Sequence, residues 1–295
     1  MLAACGAGQT PIGASPSISA PDKPSSGALL YVVMSETYTH VLTYPGFREV
    51  KHIPYWGLST SDPNNGDVMI GGIEWPINLY AYGGKKPLRR FGADGGAIVY
   101  DSAFDPTSGF IAISENEGGR GASVSVCRTP KSKGTRYVVP HSSYVEFVGY
   151  DGKGNLFVDG IGAKSNFLLA ELPKGGKAFV NLSVVGTISN AGAIQWDGKY
   201  LTVASGPSIY RLQVSGLTAT VVGQTTLLRA WGGGVFWIEG DTVIGPHLSH
   251  LDHDPIYLGL WHYPGGGEAY KIITSLSRGP RDYVNSATVS LAPSR

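Results

Sequence analysis

The chain has little charge for its length. Asp, Glu, Lys and Arg make up 15% of its 295 residues, whereas an average soluble protein has about 25%. The 23 basic and 22 acidic residues leave a formal net charge of +1. Such a balance offers no global field for a polyanion, so nucleic acid is excluded as a predicted partner.

The chain also lacks the features of helical and disulfide-linked proteins. Apolar residues do not recur at helical spacing, and glycine, which costs a helix about 1 kcal/mol per residue, occupies 42 positions. The two cysteines, Cys5 and Cys127, make no disulfide framework. After residue 28 no apolar run approaches the roughly 18 residues of a membrane helix. The sequence therefore excludes a helical bundle and a disulfide-rich scaffold.

What the chain does have is short apolar runs. Hydrophobic residues are 42% and aromatic residues 11% of the chain, which is enough to bury a core and excludes disorder. The runs are rich in Val, Ile, Tyr, Phe and Leu and alternate with Gly, Pro, Asp and Asn. This pattern is typical of strands and turns, so the predicted fold class is all-β.

The runs recur with a period of roughly 40–50 residues. Six of them follow a small or glycine-rich segment and begin near Gly57, Ala97, Val145, Gly192, Gly234 and Tyr283. Most end in an acid before a tight turn, at Asp62, Asp105, Asp151, Asp197 and Glu239. Asp suits this place because its side chain accepts a hydrogen bond from the backbone two residues on. Each first strand is therefore predicted to open a unit of four strands.

Six units of four antiparallel strands predict a six-bladed β-propeller. The N-terminal unit has three strands within residues 29–54, and the C-terminus supplies a first strand at residues 283–291. Pairing the two closes the ring and removes an open sheet edge. We predict one propeller domain over residues 28–295; the runner-up, a β-sandwich, would have to place about 24 short strands.

Two segments resemble the NHL repeat, which consists of a strand, an Asp-x-x-Gly-Asn turn and a strand ending in Asp. They are residues 145–160 (VEFVGYDGKGNLFVDG) and 193–205 (AIQWDGKYLTVAS). The chain as a whole is similar to six-bladed propellers of the NHL and SMP-30/gluconolactonase kind, which implies the same fold. SMP-30-like lactonases hold a divalent metal at the channel, but their Glu-Gly-Pro at the start of a first strand is missing here. The resemblance therefore does not imply lactonase activity.

The N-terminus resembles that of an exported lipoprotein. The segment Leu2-Ala3-Ala4-Cys5-Gly6 resembles a lipobox, whose cysteine is lipidated. The rest of residues 1–27 is rich in Gly, Ser and Pro and nearly uncharged, which predicts a flexible tether. We predict an extracytoplasmic protein, in a bacterial envelope or secreted, that meets a membrane only through a lipid on Cys5.

The predicted ligand site is the rim of the central channel. In a propeller this rim is formed by loops that lead into first strands and loops that join second to third strands. The candidate ligand-binding residues are Trp56, Trp75, His141, Tyr144, Arg229 and Trp231. Their aromatic rings suit stacking on a sugar or an apolar peptide group. The alternative is that the rings pack between blades.

The densest group of potential metal ligands lies in residues 247–254. The candidate ligands are His247, His250, Asp252 and His253, and Asp254 follows them. Imidazoles and carboxylates bind divalent metals such as zinc, so a divalent metal is the one cofactor that the sequence suggests. The other interpretation is a polar loop whose histidines cap backbone groups.

The sequence favours a binding or scaffold module over an enzyme because it contains no recognisable catalytic set. The predicted partner is a small molecule, a glycan or a protein at the channel face, and the chain is predicted to be a monomer. A metal-dependent hydrolase or lyase with its site in the channel is the alternative. A structural component of the cell envelope is the third possibility.

Overall fold

The computed structural model describes residues 27–35, 37–72, 74–92, 98–117, 121–248, 256–276 and 283–293. Every regular element in these residues is a β-strand. The described part of the chain contains no helix that could cross a membrane. The predicted all-β class is confirmed.

The strands follow one another with short connections. In chain order they are β1 (Leu29–Met34), β2 (Thr39–Thr43), β3 (Glu49–Ile53), β4 (Leu58–Ser61), β5 (Val68–Gly72), β6 (Trp75–Tyr80), β7 (Pro87–Phe91), β8 (Ile98–Phe104), β9 (Ile111–Glu117), β10 (Gly121–Cys127), β11 (Thr135–Val138), β12 (Ser142–Tyr150), β13 (Leu156–Gly162), β14 (Phe167–Leu172), β15 (Val180–Asn181), β16 (Ser183–Val185), β17 (Ile194–Trp196), β18 (Leu201–Ser205), β19 (Ser208–Ser215), β20 (Thr218–Thr226), β21 (Trp237–Glu239), β22 (Thr242–His247), β23 (Tyr257–His262), β24 (Lys271–Ile273) and β25 (Val284–Ser290).

These strands form six sheets, which we number as blades 1 to 6. Each contains four antiparallel strands, in the orders β25-β1-β2-β3, β4-β5-β6-β7, β8-β9-β10-β11, β12-β13-β14-β15, β17-β18-β19-β20 and β21-β22-β23-β24, and the fifth sheet also has β16 in parallel beside β20. Neighbours within these orders are antiparallel, as in β12 with β13 and β22 with β23. The chain is a six-bladed β-propeller, as predicted.

The ring is closed in the predicted way, by the two ends of the chain. The C-terminal strand β25 pairs with β1, with Leu29 opposite Ser290 and Val33 opposite Ser286. Blade 1 thus takes its innermost strand from the end of the chain and its other three from the beginning. The edge of β1 is covered, which removes a site of edge-to-edge association.

Four of the predicted acid-ended turns have the expected hydrogen bond. The Oδ1 atoms of Asp62, Asp105, Asp151 and Asp197 each accept the N–H of the residue two positions later, at 2.9, 2.8, 2.8 and 2.8 Å. We call these four residues the turn aspartates. They fix the hairpin between the first and second strands of blades 2 to 5.

The core lies between blades rather than at one centre. Blade 3 presents small side chains such as Ala112 and Ala122, and blade 4 packs Val158 and Leu168 against them. Because each sheet is covered on both faces, its strands read as nearly continuous apolar runs. This double burial explains the low charge of the chain, since charged residues are rarely buried without partners.

One predicted strand is wrong. The sequence predicts a single fourth strand of blade 4 over residues 178–184, but the structure divides this run between two sheets. Val180–Asn181 pairs with β14, whereas Ser183–Val185 pairs in parallel with β20 at the outer edge of blade 5. Leu182 lies between them, 8% exposed, and its N–H bonds to the carbonyl of Leu169. The buried Leu182 marks the point where the chain passes from blade 4 to blade 5, and Ser183–Val185 becomes the fifth strand of blade 5.

Candidate functional site

The axis of the ring contains a cavity of about 290 Å³. Residues on or beside all six innermost strands, β25, β4, β8, β12, β17 and β21, line it. The lining reaches Asp62 and Pro63, Pro106, Glu239 and Leu291, which lie at the ends of these strands. The cavity therefore extends to the face that carries the turn aspartates, which we call the turn face.

Aromatic rings make up much of the wall. The aromatic residues that line the cavity are Phe104, Phe147, Tyr150, Trp196, Phe236 and Trp237. They come from blades 3 to 6, while blades 1 and 2 contribute smaller residues such as Ala287 and Ser59. An apolar pocket with a few polar groups is the usual form of a small-molecule site.

Two glycines let the innermost strands of blades 4 and 5 come close together. A Cβ at Gly149 would lie 2.5 Å from the carbonyl oxygen of Ile194, and a Cβ at Gly152 would lie 2.8 Å from Nε1 of Trp196. Either approach is too short for a real side chain. Glycine at these positions therefore allows the indole of Trp196 to lie against the turn of blade 4, at the cavity wall.

Three carboxyl groups join the aromatic wall, those of Asp62, Asp101 and Glu239. Burial raises the pKa of all three, and it raises the pKa of Asp101 to about 7. Backbone N–H groups oppose this shift at Asp101, and the indole N–H of Trp237 opposes it at Glu239. The described residues that line the cavity include no Lys, Arg or His. The wall is therefore acidic and aromatic, without a basic side chain.

A second set of side chains joins neighbouring blades around the axis. Asn116 of blade 3 donates to the carbonyl of Val145 at 2.6 Å and accepts its N–H at 3.0 Å. Gln195 of blade 5 makes the same pair of bonds to Ile238 of blade 6, both at 2.7 Å. We call such side chains brackets, because each fastens a backbone group of the next blade.

Two aspartates act as brackets through their carboxyl oxygens. Asp159, which is 0% exposed, accepts the N–H of Phe147 at 3.0 Å and that of Gly192 at 2.9 Å. Asp101 accepts the N–H of Val148 at 3.1 Å. Burial raises the pKa of Asp159 well above its ordinary value, and the nearby acids Glu146 and Asp101 add to the shift. These carboxyls hold blades 3, 4 and 5 in register beside the cavity.

The predicted ligand-binding residues lie outside this cavity lining. Trp56 and Trp75 are neighbours, with ring centroids 5.3 Å apart at an edge-to-face angle of 61°. Tyr55 also contacts Trp56, and its hydroxyl donates to the carbonyl of Pro76 at 2.6 Å. Trp75 is 51% exposed, so this pair presents an open aromatic surface on blade 2.

The other four predicted ligand residues do not join Trp56 and Trp75. Tyr144 packs edge-to-face on Tyr100, with centroids 4.7 Å apart. His141 lines a separate cavity of about 240 Å³ on blade 4. Arg229 and Trp231 lie between β20 and β21, where the N–H of Trp231 bonds to the carbonyl of Pro246 at 3.0 Å. The structure brings together two of the six.

Most of the predicted metal group falls outside the described residues. His250, Asp252 and His253 are among those, as is Cys5, the predicted lipidation site. His247 is the last residue of β22, is 2% exposed and lies 5.7 Å from the ring of Trp261. Within the described ranges, no three His, Cys, Asp or Glu side chains are grouped so that they could hold a metal ion.

Sequence reasoning missed the residues that line the axis. Trp196 is the last residue of β17 and Trp237 is the first residue of β21. Both precede the turn acid of their repeat, Trp196 by one residue and Trp237 by two. That was the available signal, because first strands of a propeller surround its channel.

No protein-family model and no curated protein matches the chain. Solved structures do resemble it. A chain of a nidogen/laminin complex is 10% identical with a TM-score of 0.65, and the match covers 91% of this chain and 100% of that one. A protein of unknown function from Bacteroides caccae is 11% identical, with a TM-score of 0.60 and coverage of 90% and 99%.

A third similar structure is the β-propeller domain of Cps50 (Swd1) from Myceliophteria thermophila. It is 10% identical with a TM-score of 0.56, and the match covers 94% of this chain and 91% of that domain. At such identities the likeness shows the fold alone. Function has to be argued from the channel and its wall.

Proposed function

We propose that this propeller is a binding module that accepts a small molecule in its central channel. The observation that carries the proposal is the cavity of about 290 Å³, whose lining includes six aromatic residues, among them Trp196 and Trp237, and three acidic residues. Such a wall supplies apolar area together with a few fixed polar groups, which gives affinity and orientation to a ligand. The ligand enters from the turn face.

The chemistry of the wall supports binding more than catalysis. The described lining contains no Cys, His or Lys, so it offers no Ser–His or Cys–His pair and no lysine nucleophile. Asp101, with a pKa near 7, is a possible proton acceptor, but one of its oxygens already holds the N–H of Val148. Its position is that of a structural bracket.

The cellular setting that we propose comes from the sequence. The lipobox-like Cys5 and the Gly/Ser/Pro-rich residues 6–27 support an exported protein tethered to a bacterial envelope. The two NHL-like segments support kinship with the NHL and SMP-30-like propellers. The near-zero net charge supports a protein that binds no nucleic acid, and we propose that it acts as a monomer.

The test is a thermal-shift screen of purified protein with small aromatic molecules, sugars and divalent metals. A ligand at about 100 times its Kd adds roughly 2.7 kcal/mol of stability, which for a chain of this size raises Tm by a few degrees. The shift should disappear in Trp196→Leu, which alters the cavity wall. It should survive in Trp75→Leu, which changes an exposed tryptophan outside the cavity.

Other outcomes favour the alternatives. A shift that is lost in Trp75→Leu and kept in Trp196→Leu moves the binding site to the aromatic pair on blade 2 and favours a glycan. A shift that requires zinc and is lost in His250→Ala and His253→Ala favours the metal-dependent hydrolase or lyase. Either result overturns the channel as the ligand site.

A further inference from the structure

We propose that the channel selects an organic cation with an apolar body, such as an aromatic or alkyl ammonium ion, an inference that rests on the proposed function. The cavity combines two features that favour such a ligand, and its described lining lacks the one feature that would oppose it.

The first feature is the density of aromatic rings. Indole and phenyl rings carry negative charge on their faces and attract a cation within about 6 Å, most strongly when the ring is a tryptophan. Trp196 and Trp237 both line the cavity, together with Phe147 and Phe236. The same rings supply the apolar contact area that a neutral ligand body needs.

The second feature is the group of carboxyls. Asp62, Asp101 and Glu239 come from blades 2, 3 and 6, so they lie on different sides of the axis. A ligand in the cavity meets acids from more than one direction. This arrangement complements a positive charge and repels a carboxylate or a phosphate.

What would oppose a cation is a basic side chain, and none lines the described part of the cavity. The other charge that acts on Asp62 is that of Asp105, a further acid, which raises the pKa of Asp62 beyond the effect of burial. At Glu239 the shift comes from burial, opposed only by the indole N–H of Trp237. Among the described residues, no positive side chain acts on these carboxyls, and a bound cation would provide the positive charge.

The experiment compares three ligands that share a phenyl ring on a three-carbon chain, at pH 8. They are 3-phenylpropyltrimethylammonium, 3-phenylpropan-1-ol and 3-phenylpropanoate, with affinities measured by calorimetry and by quenching of tryptophan fluorescence. We expect the ammonium ion to bind about tenfold more tightly than the alcohol, and the carboxylate to bind most weakly. An alcohol that binds as tightly as the ammonium ion overturns the inference.

Two variants test the carboxyls. Glu239→Gln keeps an acceptor for the indole N–H of Trp237, and Asp62→Asn keeps the Oδ1 atom that closes its turn. Each should weaken binding of the ammonium ion about fivefold and leave binding of the alcohol unchanged. The control is Glu171→Gln on β14, outside the cavity lining, which should change neither affinity.

Failure of this inference differs from failure of the proposed function. If none of the three ligands binds, the preference for cations is overturned, whereas the channel still counts as a binding site if other compounds in the thermal-shift screen depend on Trp196. If no compound in that screen needs Trp196 for its thermal shift, both the preference for cations and the proposed function are overturned.

Discussion

The turn aspartates and the brackets form the same kind of hydrogen bond in two different places. In both, a side-chain oxygen accepts a backbone N–H at about 3 Å. A turn aspartate such as Asp151 bonds within its own hairpin, to Lys153 and Asn155. A bracket such as Asp159 joins residues 12 and 33 positions away, in its own blade and the next. The turns shape single blades, whereas the brackets set one blade against another.

This comparison separates local from long-range specification. To close its turn, a turn aspartate needs only its immediate neighbours, so this role is encoded in a short stretch of sequence; the bond that Asp197 accepts from the hydroxyl of Tyr263 in blade 6, at 2.6 Å, is additional. A bracket can form its bonds to the next blade only when the two blades have packed together. Its bonds are also more buried, and a buried N–H that loses its partner costs more than an exposed one.

The largest effect is expected from Asp159→Ala. The substitution leaves the N–H groups of Phe147 and Gly192 without their acceptor, and each such loss costs about 1–3 kcal/mol. We expect the free energy of unfolding, measured in urea, to fall by roughly 3–5 kcal/mol. Asp159→Asn keeps one acceptor oxygen and should lose about half as much. A loss below about 1 kcal/mol for the alanine variant would show that water satisfies these groups.

The next effect is a dependence of stability on pH. Because burial raises the pKa of Asp101 to about 7, the native state holds its proton more tightly than the unfolded chain does. Its contribution is therefore greatest in acid and is lost as pH rises toward and through 7. Between pH 5 and pH 8 the free energy of unfolding should fall by roughly 2 kcal/mol.

Asp101→Asn provides the control for this dependence, because the amide oxygen can still accept the N–H of Val148. Urea unfolding at four pH values should give a flatter profile for the variant than for the parent chain. Equal slopes would mean that Asp101 does not titrate in this range.

Removing an uncharged bracket should lower the free energy of unfolding somewhat less than removing Asp159 does. Asn116→Ala breaks two bonds to Val145, at a cost of about 2 kcal/mol. Asn116→Asp retains the acceptor, and only its protonated form can donate to the carbonyl of Val145, so its loss should be smaller at low pH. Chemical unfolding of the three proteins side by side measures the difference, and an alanine variant as stable as the parent would contradict the bracket role.

The smallest effect is expected at a turn. Asp151→Ala removes the acceptor of the N–H groups of Lys153, which is exposed, and Asn155, which is half-buried. Water can replace much of what these groups lose, and we expect a cost of about 1 kcal/mol. Asp151→Asn should be nearly neutral because its oxygen still accepts the N–H of Lys153. If Asp151→Ala costs as much as Asp159→Ala, the contrast between turns and brackets fails.

The same contrast explains how much of the fold could be predicted. The six repeats, the turns at Asp62 and Asp105 and the closure of β1 by β25 are carried by local patterns and by the strand count at the two ends. The division of residues 178–184 between two sheets could not be predicted in this way. The alternation of apolar and polar residues predicts which face of a strand is buried, but it does not predict which neighbouring strand pairs with it.

The candidate site was less accessible to prediction. The sequence predicts Trp56 and Trp75 as rim aromatics, and the structure shows that they lie together. The cavity itself is lined by Trp196 and Trp237. Whether a first-strand aromatic faces the axis or a neighbouring blade depends on the approach of the next strand. That approach is set by contacts such as Gly149 on Ile194, which no single repeat contains.

The closure of blade 1 also determines how the ring would respond to force. Residue 29 and residue 290 are directly opposite each other on antiparallel strands, so pulling the chain ends apart acts along the hydrogen bonds between β1 and β25. These bonds run perpendicular to the strands and would break one pair after another, as a zipper opens. A pulled molecule should therefore yield first at this seam, at low force, and only then lose its blades.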